Sequence, residues 1–349
     1  MKATVLNAPR DIRLESVPDA SIAHPTDAVV RVVAACVCGS DLWPYRGVQK
    51  IIEPRRMGHE FVGIVEAIGT DVTSVRPGEF VIAPFATSDG TCPHCANGIT
   101  TSCVRGGFWG STDEYGLPFD GGQGEWVRVP LADGTLVATP EVPDSEMVPH
   151  LLTLSDVMAT GHHAAVAAHV TTGSRVVVVG DGAVGLCAVI ASVRLGADRV
   201  IMMSRHADRQ KLATEFGATD IVAERGPEGI ERVIELLGGI GADCALECVG
   251  TKDSMDQAIK SVRPGGHVGY VGVPAGGPEL PVGYLFSNNV AVGGGVAPAR
   301  TYLPELLIDV LGGSLRPGAV FDLVLPLTDV AEAYSAMDER RAIKSLLQP

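Results

Sequence analysis

The stretch that most restricts the fold runs from residue 174 to 206. Residues 175–179 read Arg-Val-Val-Val-Val, a β-branched run with the composition of a parallel strand buried on both faces. It ends in Gly180-Asp181-Gly182-Ala183-Val184-Gly185, after which residues 186–195 read as a helix and residues 199–203 as a second apolar strand. Strand, glycine turn, helix and strand within about thirty residues is the context in which a glycine fingerprint means dinucleotide binding. Gly180 permits the tight turn, Gly182 lets the backbone approach a pyrophosphate, and Gly185 lets helix and strand pack closely. The helix N-terminus, reached just past Ala183, Val184 and Gly185, offers free N–H groups and a partial positive charge to the phosphates.

The end of the second strand bears on the choice of cofactor. NAD-binding units place an acidic residue there, about twenty residues past the glycines, to accept from the adenosine 2′-hydroxyl. Nineteen residues past Gly185 stands Ser204, followed by Arg205 and His206, with Arg209 one turn on. A carboxylate would repel a 2′-phosphate; Ser204 does not, and Arg205 can pair with it. A hydrogen bond to a charged group contributes about 1.5–3 kcal/mol, a ten- to hundredfold preference. NADP is therefore the expected cofactor.

At 349 residues the chain exceeds one ordinary core, so two domains are expected. A net charge of −14 without a basic run argues against nucleic-acid or anionic-membrane partners. The start, Met1-Lys2-Ala3-Thr4-Val5-Leu6, lacks the apolar segment of a signal peptide. The longest apolar stretch, residues 176–193, contains Asp181 and three glycines and does not read as a membrane span. Of eight cysteines, Cys92, Cys95 and Cys103 lie close together, which without an export signal favours metal over disulfide. A cytoplasmic location is expected.

Short strands between glycines and prolines, among them residues 28–33, 61–69 and 78–82, predict a small β-barrel-like domain over residues 1–150. Beyond it, strands near 218–222, 242–246, 266–271 and 290–293 alternate with helices near 207–217, 228–237 and 253–262. That alternation predicts a doubly wound parallel sheet, an α/β fold, over residues 151–297. A helix after Pro304 and a strand over residues 342–347 close the chain.

With Gly58-His59-Glu60 near the front and the glycine turn in the middle, the sequence resembles the zinc-dependent alcohol dehydrogenases of the medium-chain dehydrogenase/reductase superfamily over essentially its whole length. The resemblance implies a GroES-like β-barrel catalytic domain, residues 1–150 and 298–349, wrapped around a Rossmann domain, with the active site in the cleft between them. It implies a catalytic zinc held by Cys38, His59 and Asp156, the last standing four residues before the Thr160-Gly161 pair. Thiolate, imidazole and carboxylate with one open position suit a catalytic zinc. Glu60 is near enough to bind in exchange, and Asp41 resembles the carboxylate that fixes the tautomer of His59. The same family carries a structural zinc on four ligands separated by two, two and seven residues. Here those places hold Asp89, Cys92, Cys95 and Cys103, with His94 as the rival fourth ligand and a metal-free lobe as the alternative.

The implied reaction is reversible hydride transfer between NADP(H) and an alcohol or carbonyl substrate. Ser40 matches the family's proton-relay hydroxyl, but the histidine that often continues the relay is replaced by Trp43. Trp43, Phe108 and Trp109 are candidate walls of a substrate pocket. Thr160, Cys248, Val249, Val271, Gly272 and Val273 match positions around the nicotinamide and its ribose, and Lys344 matches a basic residue that reaches the pyrophosphate. Relatives are dimers or tetramers, so a homo-oligomer is expected. Two other readings stay open: an NADPH-dependent enoyl or iminium reductase on the same scaffold, and a non-catalytic NADPH-binding protein.

Overall fold

The computed structural model describes residues 1–50, 54–112, 116–274 and 279–349. Its contacts divide the chain into two units: residues 1–156 with 298–349, and residues 157–297.

In the second unit, six parallel strands lie in the order Asp220–Val222, Arg199–Met203, Arg175–Val179, Ala242–Glu247, Val262–Tyr270 and Ala291–Gly294. Numbered along the chain this is 3-2-1-4-5-6, the order that reverses direction between the first and fourth strands. Val176–Val179 are fully buried, as a central strand covered on both faces must be. Helices Ala183–Arg194, Ala207–Glu215, Gly226–Leu236 and Lys252–Ser261 make the crossovers. Ligands in such sheets bind beyond the carboxyl ends of the strands at the reversal point, which here is Gly180 beside Cys248. Cys248 N–H donates to the Val179 carbonyl at 3.0 Å, locking those two strand ends side by side.

The first unit is mostly antiparallel. Ala28–Cys36 pairs with Phe61–Ile68 and Trp126–Val129, and Phe61–Ile68 pairs in turn with Phe80–Ala83. The last strand, Ser345–Gln348, returns to this sheet and pairs antiparallel with Ala28–Cys36, Leu346 opposite Cys36 and Leu347 opposite Ala35. The α/β fold with a GroES-like β domain and a Rossmann domain, expected from the sequence, is what the structure shows.

Three details differ from the sequence reading. The change of unit falls after Asp156 and not at 150, because helix Val148–Thr153 packs on the β strands of the first unit. The helix expected after Pro304 spans Ala299–Leu311 and contains that proline. Pro304 lies early in the helix, where only one intrahelical N–H bond is lost, so the apolar face Leu303, Leu306, Leu307 and Val310 still buries. Helix Val330–Asp338 is not predicted from the sequence; it buries Ala333, Tyr334 and Met337 in the same core as Leu6, Leu42 and Leu347. No helix among the described residues is long and apolar enough to cross a membrane.

Candidate metal centre and dinucleotide-binding turn

Cys38 stands two residues past the end of the strand Ala28–Cys36 and caps the short turn Gly39–Asp41. Its thiol accepts from Ser40 N–H at 3.5 Å, while its own N–H donates to Asp41 Oδ2 at 3.0 Å. This reciprocal cap fixes the thiol and holds half-buried Ser40 two residues past it. His59 follows Gly58, whose φ is +100°. A Cβ on Gly58 would stand 2.5 Å from Gln123 Cγ and 2.7 Å from Gln123 N, so only glycine lets the chain enter here. Asp156 ends the turn after helix Val148–Thr153.

These three elements bring Cys38, His59, Glu60 and Asp156 together, with one ligand atom from each inside a 4.8 Å span. Asp156 Oδ2 is 3.4 Å from His59 Nε2 and 3.6 Å from Cys38 Sγ. His59 Nδ1 lies 3.2 Å from Asp41 Oδ1, which sets the ring so that Nε2 faces the cluster. Burial alone favours the neutral ring. Asp41, Cys38 and Asp156 around it nonetheless raise the His59 pKa well above the ordinary value. The Cys38 thiol is pushed up by burial and by the Asp156 carboxylate. So many acidic donors at one point are each costly when ionised alone, and a shared dication relieves them together. The donor set therefore fits a zinc ion.

Lys344 is placed elsewhere than the resemblance implies. Its side chain is 1% exposed, and Nζ donates to Glu60 Oε1 at 2.6 Å and to the Val37 carbonyl at 3.2 Å. A fully buried carboxylate beside other acids needs a cation, and Lys344 is committed to that role instead of to a pyrophosphate. Glu60 Oε2 is buried with no hydrogen-bond partner among the described residues, so this oxygen keeps a free lone pair. Two supports escaped the sequence reading. Gln123 Nε2 donates to the Cys36 carbonyl at 2.9 Å, and Gln123 Oε1 accepts from Tyr334 Oη at 3.0 Å. Trp109 is not a pocket wall: it is 3% exposed, packs edge-on against Phe61, and donates Nε1–H to the Pro84 carbonyl. Phe108 is exposed and stacks on Phe85, and Trp43 is half-buried.

The second cluster joins Asp89, Cys92, Cys95 and Cys103. Cys92 Sγ lies 3.5 Å from Cys95 Sγ and 4.0 Å from Cys103 Sγ. Backbone N–H groups of Cys95 and Val104 bring the Cys92 pKa down to about 7. Burial and the neighbouring Cys92 and Cys103 push Cys95 up to about 12. Burial would raise the Asp89 pKa, but the N–H groups of Cys92 and Thr91 and the Arg105 guanidinium hold it well below the usual range. Exposed His94 is not part of this group.

In the second unit, Gly180 has φ +115° and a Cβ there would meet Val249 Cγ2 at 2.6 Å. Gly182 faces open space, and a Cβ on Gly185 would collide with the Gly180 carbonyl. Helix Ala183–Arg194 begins with no side-chain cap, leaving its first N–H groups, at Ala183, Val184 and Gly185, for a ligand. This cradle fits a pyrophosphate. Across the reversal point, Gly250 and Gly272 let the turn after Glu247 and the Val271–Val273 segment meet backbone to backbone. Buried Glu247, also unread from the sequence, accepts from the N–H groups of Val249 at 2.9 Å and Gly250 at 2.8 Å. Val249 and Val273 are exposed there, Cys248 is half-buried, and Thr160 is buried in helix Val157–Ala167. Ser204 is fully buried and its hydroxyl donates to Asp181 Oδ2 at 2.7 Å, while Arg205 is exposed.

The alcohol dehydrogenase GroES-like domain profile matches residues 24–144, and the zinc-binding dehydrogenase profile matches residues 183–311. A probable zinc-binding alcohol dehydrogenase of Mycobacterium tuberculosis is 33% identical over 97% of this chain and 86% of its own length. Zinc-type alcohol dehydrogenase B of Aspergillus flavus is 30% identical over 100% of this chain and 81% of its own. Among solved structures, the alcohol dehydrogenase TADH of Thermus sp. ATN1 superposes with a TM-score of 0.91 at 32% identity, covering 100% of this chain and 99% of its own.

Proposed function

The chain belongs to the zinc-dependent alcohol dehydrogenases of the medium-chain superfamily, and from that premise we propose that it transfers a hydride between NADP(H) and a small alcohol, aldehyde or ketone. The observation that carries this reading is the convergence of Cys38, His59, Glu60 and Asp156 on one point. When bound there, zinc supplies the Lewis acidity that lowers the pKa of an alcohol hydroxyl or, in reverse, polarises a carbonyl. Cys38, His59 and Asp156 would hold it, with Glu60 Oε2 in reserve, and Asp41 keeps His59 in the tautomer that presents Nε2. Ser40, set by the Cys38 cap, takes the hydroxyl proton and passes it to solvent, since Trp43 cannot carry it further.

Gly180, Gly182 and Gly185 with the helix start at Ala183 hold the pyrophosphate, and exposed Arg205, next to buried Ser204, receives the 2′-phosphate. Thr160, Cys248, Val249, Val271, Gly272 and Val273 border the nicotinamide end. Asp89, Cys92, Cys95 and Cys103 hold a second, structural zinc. We assign the protein to the cytoplasm as a homo-oligomer; Ala291–Gly294 is an open sheet edge suited to pairing between copies. Purified protein incubated with NADPH or NADH and a panel of aldehydes and ketones tests the reading. Cofactor oxidation that needs both the carbonyl and zinc supports it; zinc-independent reduction of an activated alkene instead would refute it.

A further inference from the structure

We infer that Asp181, inside the glycine turn, is the residue that discriminates between cofactors, opposing a 2′-phosphate and favouring a 2′-hydroxyl. The inference rests on reading residues 180–206 as the adenosine end of a dinucleotide cradle. In such cradles the group that meets the 2′ substituent stands at the end of the second strand, about twenty residues past the glycines. Ser204 occupies that place here, and no carboxylate follows it directly in the sequence. The fold nonetheless supplies one, because Asp181 Oδ2 accepts from Ser204 Oγ at 2.7 Å. An acid is thus one hydrogen bond from the position where NAD-binding units carry it, delivered by the glycine turn and not by the strand.

Asp181 is 8% exposed. Burial would raise its pKa, but the Ser204 hydroxyl and Arg209, with His206 and Arg225 beyond them, more than offset this and keep it ionised at neutral pH. Arg209 Nη1 lies 3.4 Å from Asp181 Oδ1 and 3.3 Å from the Asp181 carbonyl, so this guanidinium is turned toward the acid. A 2′-phosphate entering here meets a fixed negative charge and competes with it for Arg209 and Ser204. A 2′-hydroxyl can donate to the same carboxylate. Exposed Arg205 remains the group on the other side of the balance. The preference of the native protein is then the difference between Arg205 and Asp181.

The test is calorimetric titration with two adenosine fragments, 2′,5′-ADP and 5′-AMP, which reads binding without turnover and without the metal centre. Asp181→Asn keeps the side-chain shape and an oxygen for Ser204. It should tighten 2′,5′-ADP at least about tenfold, the effect of one hydrogen bond to a charged group, and leave 5′-AMP unchanged or weaker. Arg209→Gln should weaken 2′,5′-ADP more in the Asp181→Asn background than alone, because the freed guanidinium then serves the phosphate. Should Asp181→Asn fail to fold by its thermal transition, Asp181→Ser gives the same comparison. Equal changes for both fragments, or no change in either, would overturn the inference and leave Asp181 as a turn lock. Native protein that prefers 5′-AMP while Asp181→Asn reverses the order refutes the NADP(H) preference yet supports this role for Asp181. Binding of neither fragment by the native protein overturns both.

Discussion

Lys344 Nζ sits 2.6 Å from Glu60 Oε1, and the two side chains are 1% and 0% exposed. The pair joins the residue before the strand Ser345–Gln348 to the residue after His59, so the C-terminal segment neutralises the floor of the proposed metal centre. Removing one member leaves the other charge buried alone, which costs about 3–5 kcal/mol. Lys344→Met should lower stability by that amount in urea unfolding of zinc-stripped protein. The double variant Lys344→Met with Glu60→Gln should recover most of the loss, because it removes both charges.

Asp41 accepts from Cys38 N–H and faces His59 Nδ1, so one carboxylate orients two of the proposed ligands. Asp41→Asn should weaken zinc binding about 10–100-fold, the usual effect of losing such an outer partner. Competition with a chromophoric chelator measures it, and an unchanged affinity would show that the ligands need no such support.

The cysteine lobe makes a prediction about reactivity. Cys92 Sγ and Cys95 Sγ lie 3.5 Å apart, but the Cys92 pKa is about 7 and that of Cys95 about 12. The thiolate is the nucleophile, so after zinc removal iodoacetamide at pH 8 should modify Cys92 well before Cys95. Zinc-loaded protein should resist modification at both. Peptide mass spectrometry reads the order.

Asp243 is held by two guanidinium groups, Arg175 Nε at 3.1 Å and Arg263 Nε at 2.6 Å. Burial would raise its pKa, but the bonds from Arg175 and Arg263 hold it well below the usual carboxylate range. The folded pKa is depressed, so the contribution is fully present above the unfolded value near about 3.9 and fades as pH falls below it. Asp243→Asn should therefore be less stable than the native protein at pH 7, and the gap in urea midpoint should shrink below about pH 4. A gap that widens with acid would contradict the sign.

The parts legible in the sequence were those written in contiguous residues. The run 175–179, the glycines after it and the Gly58-His59-Glu60 triplet each carry their chemistry within a few positions. Pairings that close only through tertiary folding were not legible. Lys344 and Glu60 are 284 residues apart, and Tyr334 and Gln123 are 211 apart. Nothing local distinguishes Lys344 as a buried counter-ion from a lysine that reaches a phosphate. Asp181 shows the same limit at shorter range: its partner Ser204 stands 23 residues away and is brought against it only by the fold. Trp109 reads as a pocket aromatic because its indole N–H partner, the Pro84 carbonyl, belongs to a separate loop.

The most direct test of a zinc centre built by Cys38, His59 and Asp156 is zinc counting on the native protein and on Asp156→Ala, alongside alcohol oxidation. About two zinc ions per chain in the native protein and about one in the variant are predicted from the two donor clusters, each closing one tetrahedral site. Turnover should be lost in the variant while the thermal transition persists. If Asp156→Ala retains the full zinc content and its turnover, Asp156 is not a ligand and the proposed centre is wrong.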